Sequence, residues 1–448
     1  MVVGGGIAGL SAAWELRDRD VLVLEAEDRA GGRLMSEPRG RYWLNFGGHV
    51  LAGEDSASGR LLTATGVDAA PVPGVLTALA MNGRVLAGGR VETYPLRLQL
   101  TRPERLALIR AGVRVRLAVV EYGRVSRRRA GESDADRRAR VLAYRDDCTF
   151  ADFLGELPAE VDAIFRPTIQ RSSGEPEQVS AGYGIGYFQL VWDRKGGLTR
   201  NVLGGSARLP AAIADVLGDR VRTGARVERV AVGGDGVTVT VAGEEIRARF
   251  AVVATPAYAA REILQGIPAE TAEALGRVAY GPYVVGALLT DEPGPMPYDQ
   301  IYAVATPKTS FNMLFNTANV TRRSGPREPG GTLMVYSAAG LADALADRDD
   351  EHIARIYADD VARIFPAVAD HIREVKIRRW PHGLPHPRPG RHLLQPALER
   401  PLGNVFLAGD YLGTTYVDTA VSTGTAAAHE IRRQIVAPPS TTSVWPVT

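Results

Sequence analysis

The glycine pattern at the start of the chain is the feature that most constrains its fold. Gly4, Gly6 and Gly9 follow a short apolar run in G-x-G-x-x-G spacing, and a helix is predicted from there to about Asp18. In such a strand-turn-helix unit, the first glycine permits the tight turn and the second lets a phosphate approach the backbone. The third lets the helix pack on the strand, so that the helix N-terminus faces a pyrophosphate. The pattern predicts a doubly wound α/β unit that binds a dinucleotide.

An acidic residue completes this pattern. The run from Val21 to Leu24 forms the next predicted strand, and Glu25 stands at its end, at the usual distance of about 20 residues from the first glycine. A carboxylate there accepts hydrogen bonds from a ribose hydroxyl and disfavours a 2′-phosphate. NAD and FAD therefore remain as ligands.

Further glycine turns separate these two alternatives. Gly31-Gly32-Arg33 follows soon after the acidic residue, and Gly47-Gly48 comes next in YWLNFGGHVL. NAD does not need glycine turns this soon after the acidic residue. They suit a ligand that continues past the pyrophosphate.

A second strand-to-helix turn lies close to the other end of the chain. In NVFLAGDYLG an apolar run leads to Gly409 and Asp410, and small residues open a helix near Val417. A chain with ligand-facing turns near both ends is expected to hold one long cofactor between them.

These motifs resemble those of the flavin-dependent amine oxidase superfamily, which includes protoporphyrinogen oxidases, carotenoid-type desaturases and monoamine oxidases. The matching segments occur in family order over nearly the whole chain. They are VVGGGIAGLSAAWEL, VLVLEAEDRAGGR, LNFGGHVL, LGGSARLPAAIADVLG, VRTGARVERV, FAVVATPAYAAREIL, RRWPHGLPHPRPGRH and NVFLAGDYLG. An ordered set of this kind is far more specific than any one of its members.

The resemblance implies an FAD site assembled from distant segments. Arg33 and Gly47-Gly48 are expected near the ribityl chain and ring, and the Val227 backbone is expected near adenine. The helix from Val417 would aim its positive N-terminal end at the flavin pyrimidine edge, which stabilises the anion of the reduced flavin. The predicted cofactor-binding residues are Gly4, Gly6, Gly9, Glu25, Gly32, Arg33, Gly47, Gly48, His49, Val227, Gly409, Asp410 and Val417.

Two positions near the Gly47-Gly48 turn leave alternatives open. Asn45 stands where the family usually carries an acidic residue, which bears on the local cofactor contacts. His49 directly follows the turn, and it is predicted either to approach the flavin ring or to serve as a structural histidine.

The predicted fold class is α/β (α+β overall), of the amine-oxidase type. A discontinuous Rossmann-type FAD-binding domain, with a small antiparallel meander at 227–253, is combined with a mixed-sheet and helical substrate domain. The boundaries are 1–75, 196–265 and 395–436 for the FAD-binding domain, 76–195 and 266–394 for the substrate domain, and 437–448 for a flexible tail.

Three positions bear on the substrate. In amine oxidases, a lysine that holds a water near flavin N5 lies in a segment resembling RVAYGPYVVGALLTDEP, and its place falls on Val285. Of the two aromatic side chains that flank the flavin face in those enzymes, Tyr416 matches one. The other is missing, because PHGLPHPRPGRH after Trp380 offers only His, Gly, Leu, Pro and Arg. Tyr416 and Trp380 are predicted to line the substrate site or, alternatively, to be packing residues.

The half-formed aromatic pair favours the protoporphyrinogen-oxidase and desaturase branch. The leading prediction is an FAD-dependent oxidase or dehydrogenase that removes hydride from a porphyrinogen, isoprenoid or secondary-metabolite precursor, with O2 or a quinone as acceptor. The alternatives are an amine oxidase forming an imine and hydrogen peroxide, a redox-neutral flavin mutase or isomerase, and a non-catalytic flavin-binding partner protein.

Composition argues against other classes of protein. The 53 basic and 51 acidic residues give a net charge of +2, which lacks the basic excess of nucleic-acid-binding proteins. Cys148 is the sole cysteine, so no internal disulfide framework is expected. His382, His386 and His392 lie in a proline-broken loop and are not expected to bind a metal.

The apolar runs are short, and a cytoplasmic protein without a signal peptide or a membrane span is expected. The arginine-rich segment 101–146 has two interpretations. It could make peripheral contact with a membrane, or it could wrap the cavity with its arginines in solvent. The second interpretation is favoured.

Overall fold

The computed structural model describes residues 1–192, 198–234, 236–322, 326–414 and 416–436. The tail predicted to be flexible, 437–448, lies outside the described residues.

The strands of the described residues, numbered in chain order, share four larger sheets and one hairpin. They are β1 (Val2–Val3), β2 (Val23–Leu24), β3 (Ser36–Arg39), β4 (Tyr42–Asn45), β5 (Val50–Ala52), β6 (Ala69–Pro71), β7 (Ala78–Met81), β8 (Arg84–Leu86), β9 (Leu198–Val202), β10 (Val221–Arg222), β11 (Val227–Val232), β12 (Val237–Val241), β13 (Glu244–Ala248), β14 (Ala251–Val253), β15 (Leu264–Gln265), β16 (Tyr280–Thr290), β17 (Ala303–Ala305), β18 (Met313–Asn316), β19 (Gly331–Ala338), β20 (Ile372–Pro385) and β21 (Val405–Leu407).

The α-helices pack on these sheets or form a helical region of their own. They are α1 (Ile7–Glu15), α2 (Ala57–Thr65), α3 (Tyr94–Arg97), α4 (Arg102–Val125), α5 (Asp134–Leu142), α6 (Phe150–Leu154), α7 (Ala159–Gln170), α8 (Ala181–Trp192), α9 (Arg208–Leu217), α10 (Ala257–Ile263), α11 (Ala269–Gly276), α12 (Gly340–Asp343), α13 (Asp350–Ile364), α14 (Gln395–Leu398) and α15 (Val417–Val436).

A five-stranded parallel sheet, in the order β10-β2-β1-β14-β21, joins strands from distant parts of the chain. Val2 pairs with Val23 on one side and with Val252 on the other, and Val253 pairs with Leu407. The central strands are fully buried, as expected for a parallel sheet covered on both faces. All three segments predicted for the FAD-binding domain contribute strands to this sheet, although the domain boundaries themselves stay a prediction.

The antiparallel meander is shorter than predicted. Strands β11, β12 and β13 pair in antiparallel order, but the segment from Ala251 to Val253 does not continue the meander. It forms β14 in the parallel sheet, beside β1. The reason is its composition, since a short run that is apolar at every position suits burial on both faces of a parallel sheet.

A seven-stranded sheet, in the order β20-β16-β19-β18-β17-β7-β8, forms one wall of the site. Four of its strands, β16 to β19, follow one another along the chain between Tyr280 and Ala338. Helix α13 covers one face, where the Tyr357 hydroxyl donates to the Val284 carbonyl at 3.1 Å. Because strand residues alternate between faces, Tyr283 and Val285 are directed to the opposite face.

The arginine-rich segment 101–146 contains the long helix α4, which begins at a capping box of Thr101 and Glu104. One face of α4 packs against α7 and α8, burying Val115 and its neighbours. The outer face carries exposed apolar side chains at helical spacing: Leu106, Ile109, Val113, Leu117 and Val120. Among the described residues, no helix combines the length and the hydropathy that crossing a membrane requires.

Candidate active site

A cavity of about 930 Å³ lies between the parallel sheet and the seven-stranded sheet. Residues from near both ends of the chain line it, together with residues of β16, β19, β20 and α8. The predicted site residues that line it are Gly4, Gly6, Glu25, Gly32, Arg33, Gly47, Gly48, His49, Val227, Trp380, Gly409, Asp410, Tyr416 and Val417. Gly9 is outside this set.

The glycines of the first turn have separate structural tasks. A Cβ on Gly9 would lie 2.0 Å from the Gly4 carbonyl oxygen, so Gly9 permits α1 to pack directly against β1. Gly4 has φ of +101°, which only glycine adopts easily. Gly6 is the N-cap of α1, where no side chain caps the helix, and a Cβ there would meet no atom within 4 Å. The uncapped N–H groups of α1 are therefore open to an anion in the cavity.

Glu25 is tied to the glycine turn by the backbone. Its carboxylate accepts hydrogen bonds from the Gly5 N–H at 2.6 Å and from the Glu27 N–H at 2.8 Å. Each oxygen makes one of these bonds, and a carboxylate oxygen can accept more than one. Glu25 can therefore also accept from hydroxyl groups of a ligand in the cavity.

An ion pair joins the two ends of the chain inside the cavity. The Arg33 guanidinium donates to the Asp410 carboxylate at 2.9 Å and to the Gly383 carbonyl at 3.0 Å. Burial alone would lower the pKa of Arg33, but the Asp410 carboxylate and the nearby Tyr280 and Tyr258 phenols together outweigh that effect, and the pKa is raised. A Cβ on Gly47 would lie 1.9 Å from the Arg33 carbonyl oxygen, so the Gly47-Gly48 turn also holds Arg33 in place.

Helix α15 directs its N-terminus into the cavity, because Val417 is its first residue and lines the cavity wall. Close packing on α1 fixes its position, since a Cβ on Gly424 would lie 2.0 Å from the Ala8 carbonyl oxygen. Asp418 also accepts hydrogen bonds from the Ser58 N–H at 2.8 Å and hydroxyl at 3.0 Å. The helix dipole places partial positive charge at this end of the cavity.

The far end of the cavity, beside α15, is lined by aromatic side chains. The rings of Tyr416 and Tyr187 lie 5.6 Å apart, and those of Tyr283 and Tyr336 lie 5.3 Å apart. Burial raises the pKa of the Tyr416, Tyr283 and Tyr336 phenols, so these groups are uncharged at neutral pH. Trp380 lies across from Tyr283 in the sheet and donates from its indole N–H to the Phe46 carbonyl at 2.6 Å. We refer to this part of the cavity as the aromatic end.

His49 lies in the wall of the cavity and is uncharged. Its Nδ1 is 3.2 Å from the Gly47 carbonyl oxygen, and its ring makes an edge contact with Phe315 at 4.8 Å between centroids. Burial lowers the pKa of His49 to about 4. The buried Nε2 has no hydrogen-bond partner among the described residues.

Val285 lies in the cavity wall, at the place where the resemblance expects a lysine. No lysine is among the described residues that line the cavity. Lys308 pairs instead with Glu160, and Lys376 pairs with Glu37 at 2.8 Å. The described part of the cavity therefore has no ammonium group to hold a water.

The sequence patterns did not identify several residues of the aromatic end. Tyr187 lies on α8, Tyr283 on β16 and Tyr336 on β19, and Arg171 directly follows α7. One signal in the sequence could have indicated Tyr283. It stands two residues before Val285 on the same strand, and residues two apart in a strand share a face.

The residues present fit FAD. The open side of Gly6, the Glu25 carboxylate and the backbone of β11 at Val227 lie along one part of the cavity. The N-terminus of α15 and the aromatic end lie along the other. Within the described residues, no group of three or more His, Cys, Asp or Glu side chains is placed to hold a metal ion.

Comparisons with known proteins agree with this geometry. A family model described as flavin containing amine oxidoreductase matches residues 7–432. The chain is 30% identical over 269 residues to a Mycobacterium tuberculosis protein provisionally named flavin-containing monoamine oxidase AofH, and the match covers 57% of this chain and 56% of that protein. It is 23% identical over 469 residues to flavin-containing amine oxidase B of Canis lupus familiaris, covering 96% and 85% of the two chains. The matched part thus spans about half the length of the first of these relatives.

Solved structures are similar over nearly the whole chain. Cyclohexylamine oxidase from Brevibacterium oxydans IH-35A has a TM-score of 0.77 at 22% identity, covering 97% of this chain and 98% of that one. Putrescine oxidase bound to putrescine has a TM-score of 0.77 at 18% identity, covering 96% and 98%. At these identities the likeness shows the fold, and it confirms the predicted architecture.

The family model covers most of the chain, and the cavity of this protein has the features that FAD requires. The predicted superfamily and the predicted cofactor are therefore confirmed. The chain belongs to the flavin-containing amine oxidoreductase family.

Proposed function

We propose that this protein oxidises a carbon–hydrogen bond next to an amine nitrogen in a small organic substrate, giving an imine, with O2 as the electron acceptor. The observation that carries the proposal is the aromatic end of the cavity, which lies beside the N-terminus of α15. The names of the similar proteins, which are amine, cyclohexylamine and putrescine oxidases, support an amine substrate. The order of the candidates thereby changes, since the sequence favoured a porphyrinogen or isoprenoid.

When bound, FAD supplies a two-electron acceptor that O2 reoxidises. The residues of the chain bind the substrate and keep its amine group uncharged. Tyr416, Tyr283 and Tyr336 surround the substrate position with protonated phenols and aromatic carbon. Such surroundings penalise the ammonium form, so the amine keeps the lone pair that forms the C=N bond as the C–H bond breaks. The proton on nitrogen leaves to solvent.

The second candidate is oxidation of a porphyrinogen or isoprenoid substrate. Val285 favours it, because an apolar, buried side chain stands where amine oxidases carry a lysine.

Location in the cytoplasm and peripheral membrane contact through 101–146 stay predictions, and the exposed apolar face of α4 supports such contact.

The test is anaerobic mixing of the FAD-loaded protein with separate substrates, while the visible flavin absorbance is followed. The panel holds primary and secondary amines, protoporphyrinogen, and a polyene isoprenoid. Bleaching by an amine, followed by hydrogen peroxide release in air, is the expected result. Bleaching only by protoporphyrinogen or the isoprenoid would replace the amine proposal with the second candidate.

A further inference from the structure

Arg171 places a positive charge in the cavity without an acidic partner. It directly follows α7, is partly buried and lines the cavity. Among the described residues it forms no ion pair, whereas Arg166 on the same helix pairs with Asp162 at 2.8 Å, Glu175 at 3.0 Å and Glu177 at 2.7 Å. An unpaired guanidinium in such a position is costly unless a ligand supplies the opposite charge.

The structure holds Arg171 in place from several sides. The Tyr283 hydroxyl donates to the Arg171 carbonyl at 2.5 Å, and the Tyr187 hydroxyl donates to the same carbonyl at 3.2 Å. The guanidinium carbon lies 5.8 Å from the centre of the Tyr187 ring. The guanidinium also opposes the effect of burial on the pKa of Tyr336, which shows that it lies next to that phenol. The side chain is thus oriented into the aromatic end before any ligand binds.

Nothing described at the aromatic end balances this charge. The neighbouring phenols are protonated, and His49 is neutral. Burial lowers the pKa of His49 to about 4, and the positive charge of Arg171 acts on that pKa in the same direction. Asp410 is engaged by Arg33 at 2.9 Å. The other acidic residues that line the cavity lie near β2, β11 and α10, beside the glycine turn: Glu25, Glu27, Glu228 and Glu262.

From these observations we infer that the substrate carries a carboxylate, which the Arg171 guanidinium binds at the aromatic end. The inference rests on the proposed function and specifies its substrate class. The planar guanidinium offers two parallel N–H groups to a carboxylate, and its charge disfavours a substrate that bears only an ammonium group. The carboxylate belongs either to an amino-acid-type amine or to a carboxylic acid without an amine.

The first test measures binding to the oxidised, FAD-loaded protein through the perturbation of the flavin spectrum, and it requires no turnover. The probes are 3-phenylpropionate and its neutral amide, which differ in charge and little in shape. We expect the wild type to bind the carboxylate at least tenfold more tightly than the amide. Arg171→Gln is expected to weaken carboxylate binding about tenfold or more and to leave amide binding unchanged. Arg171→Lys is expected to bind the carboxylate more weakly than the wild type and more tightly than Arg171→Gln.

Arg166→Gln is the matched control, because it removes an arginine from the same helix outside the cavity. It should leave both probes unaffected. FAD content is measured for every variant, since Arg171 variants that lose FAD would show that the residue serves the cofactor and would overturn the inference. Equal binding of the two probes by the wild type would also overturn it, whatever the variants do.

The second test compares anaerobic flavin reduction by phenylalanine and by 2-phenylethylamine. Faster reduction by phenylalanine, with the advantage lost in Arg171→Gln, assigns the carboxylate to an amino-acid-type substrate. Arg171-dependent binding of 3-phenylpropionate without reduction by any amine would refute the proposed function while upholding the carboxylate site. Faster reduction by 2-phenylethylamine, unchanged in Arg171→Gln, would overturn the inference and leave the proposed function standing.

Discussion

Replacing Gly6 with alanine should separate cofactor binding from folding in this protein. A Cβ on Gly6 would meet no protein atom within 4 Å, and the residue has φ of −69°, which alanine adopts without strain. The added methyl group would instead project toward the open N-terminus of α1, where the pyrophosphate of FAD is expected. We therefore expect Gly6→Ala to fold normally and to bind FAD weakly.

The expected magnitudes follow from the same geometry. Alanine gains about 0.4–1 kcal/mol from the reduced entropy of the unfolded chain, and it loses a similar amount as an N-cap residue. The stability of the FAD-free protein should thus change by less than about 1 kcal/mol. Loss of one charge-assisted hydrogen bond to the pyrophosphate costs about 1.5–3 kcal/mol, which raises the Kd for FAD by about 10- to 100-fold.

The assay is titration of the FAD-free protein with FAD, combined with urea unfolding in the absence of FAD. Gly9→Ala is the matched control, because its Cβ would lie 2.0 Å from the Gly4 carbonyl oxygen and should destabilise the FAD-free protein by about 1–3 kcal/mol. The reasoning would be refuted if Gly6→Ala bound FAD like the wild type. It would also be refuted if Gly6→Ala lost as much stability as Gly9→Ala.

Two further predictions concern the stability of the folded protein. Asp410→Asn should lower the unfolding free energy by about 1–2 kcal/mol, because the Arg33 guanidinium loses its carboxylate partner and is itself only one-third exposed. Asp18→Asn is the control in the same urea assay: it removes an exposed ion pair and should change the unfolding free energy little. Burial lowers the pKa of His386 to about 4, so the unfolded chain binds more protons between pH 4 and 6.5 and stability rises with pH there. His386→Gln should remove roughly 3 kcal/mol of this rise, measured as unfolding free energy against pH.

The cofactor half of the cavity was predictable because its signals are local in sequence. The glycine spacing, the following acidic residue and the Gly409-Asp410 turn each report a backbone path that only certain residues permit. Their meeting in space could be inferred only because one ligand must touch them all. In the structure, the first and the last of these segments contact each other directly through the Arg33–Asp410 ion pair at 2.9 Å.

The aromatic end was not predictable in the same way. Tyr187, Tyr283 and Tyr336 come from a helix and two strands, and each would be an ordinary core residue if its element faced the other way. Strand register and helix packing decide which face each side chain occupies, and single-sequence patterns do not encode the packing partners. Arg171 was missed because the absence of an acidic partner is visible only in three dimensions.

The strand order of the parallel sheet sets a limit on when this protein can take up FAD during its synthesis. Strand β14 pairs with β1 on one side and with β21 on the other, so the sheet stays incomplete until Val405–Leu407 has left the ribosome. At about 5–20 residues per second, the roughly 400 residues between β1 and β21 take about 20–80 s to synthesise. For nearly all of that time Arg33 has no Asp410, and the outer edge of β14 has no neighbour during the synthesis of roughly the last 150 of these residues, which takes about 8–30 s. Firm cofactor binding therefore comes only after β21 has been made, and until then the open edge of β14 could pair with another strand.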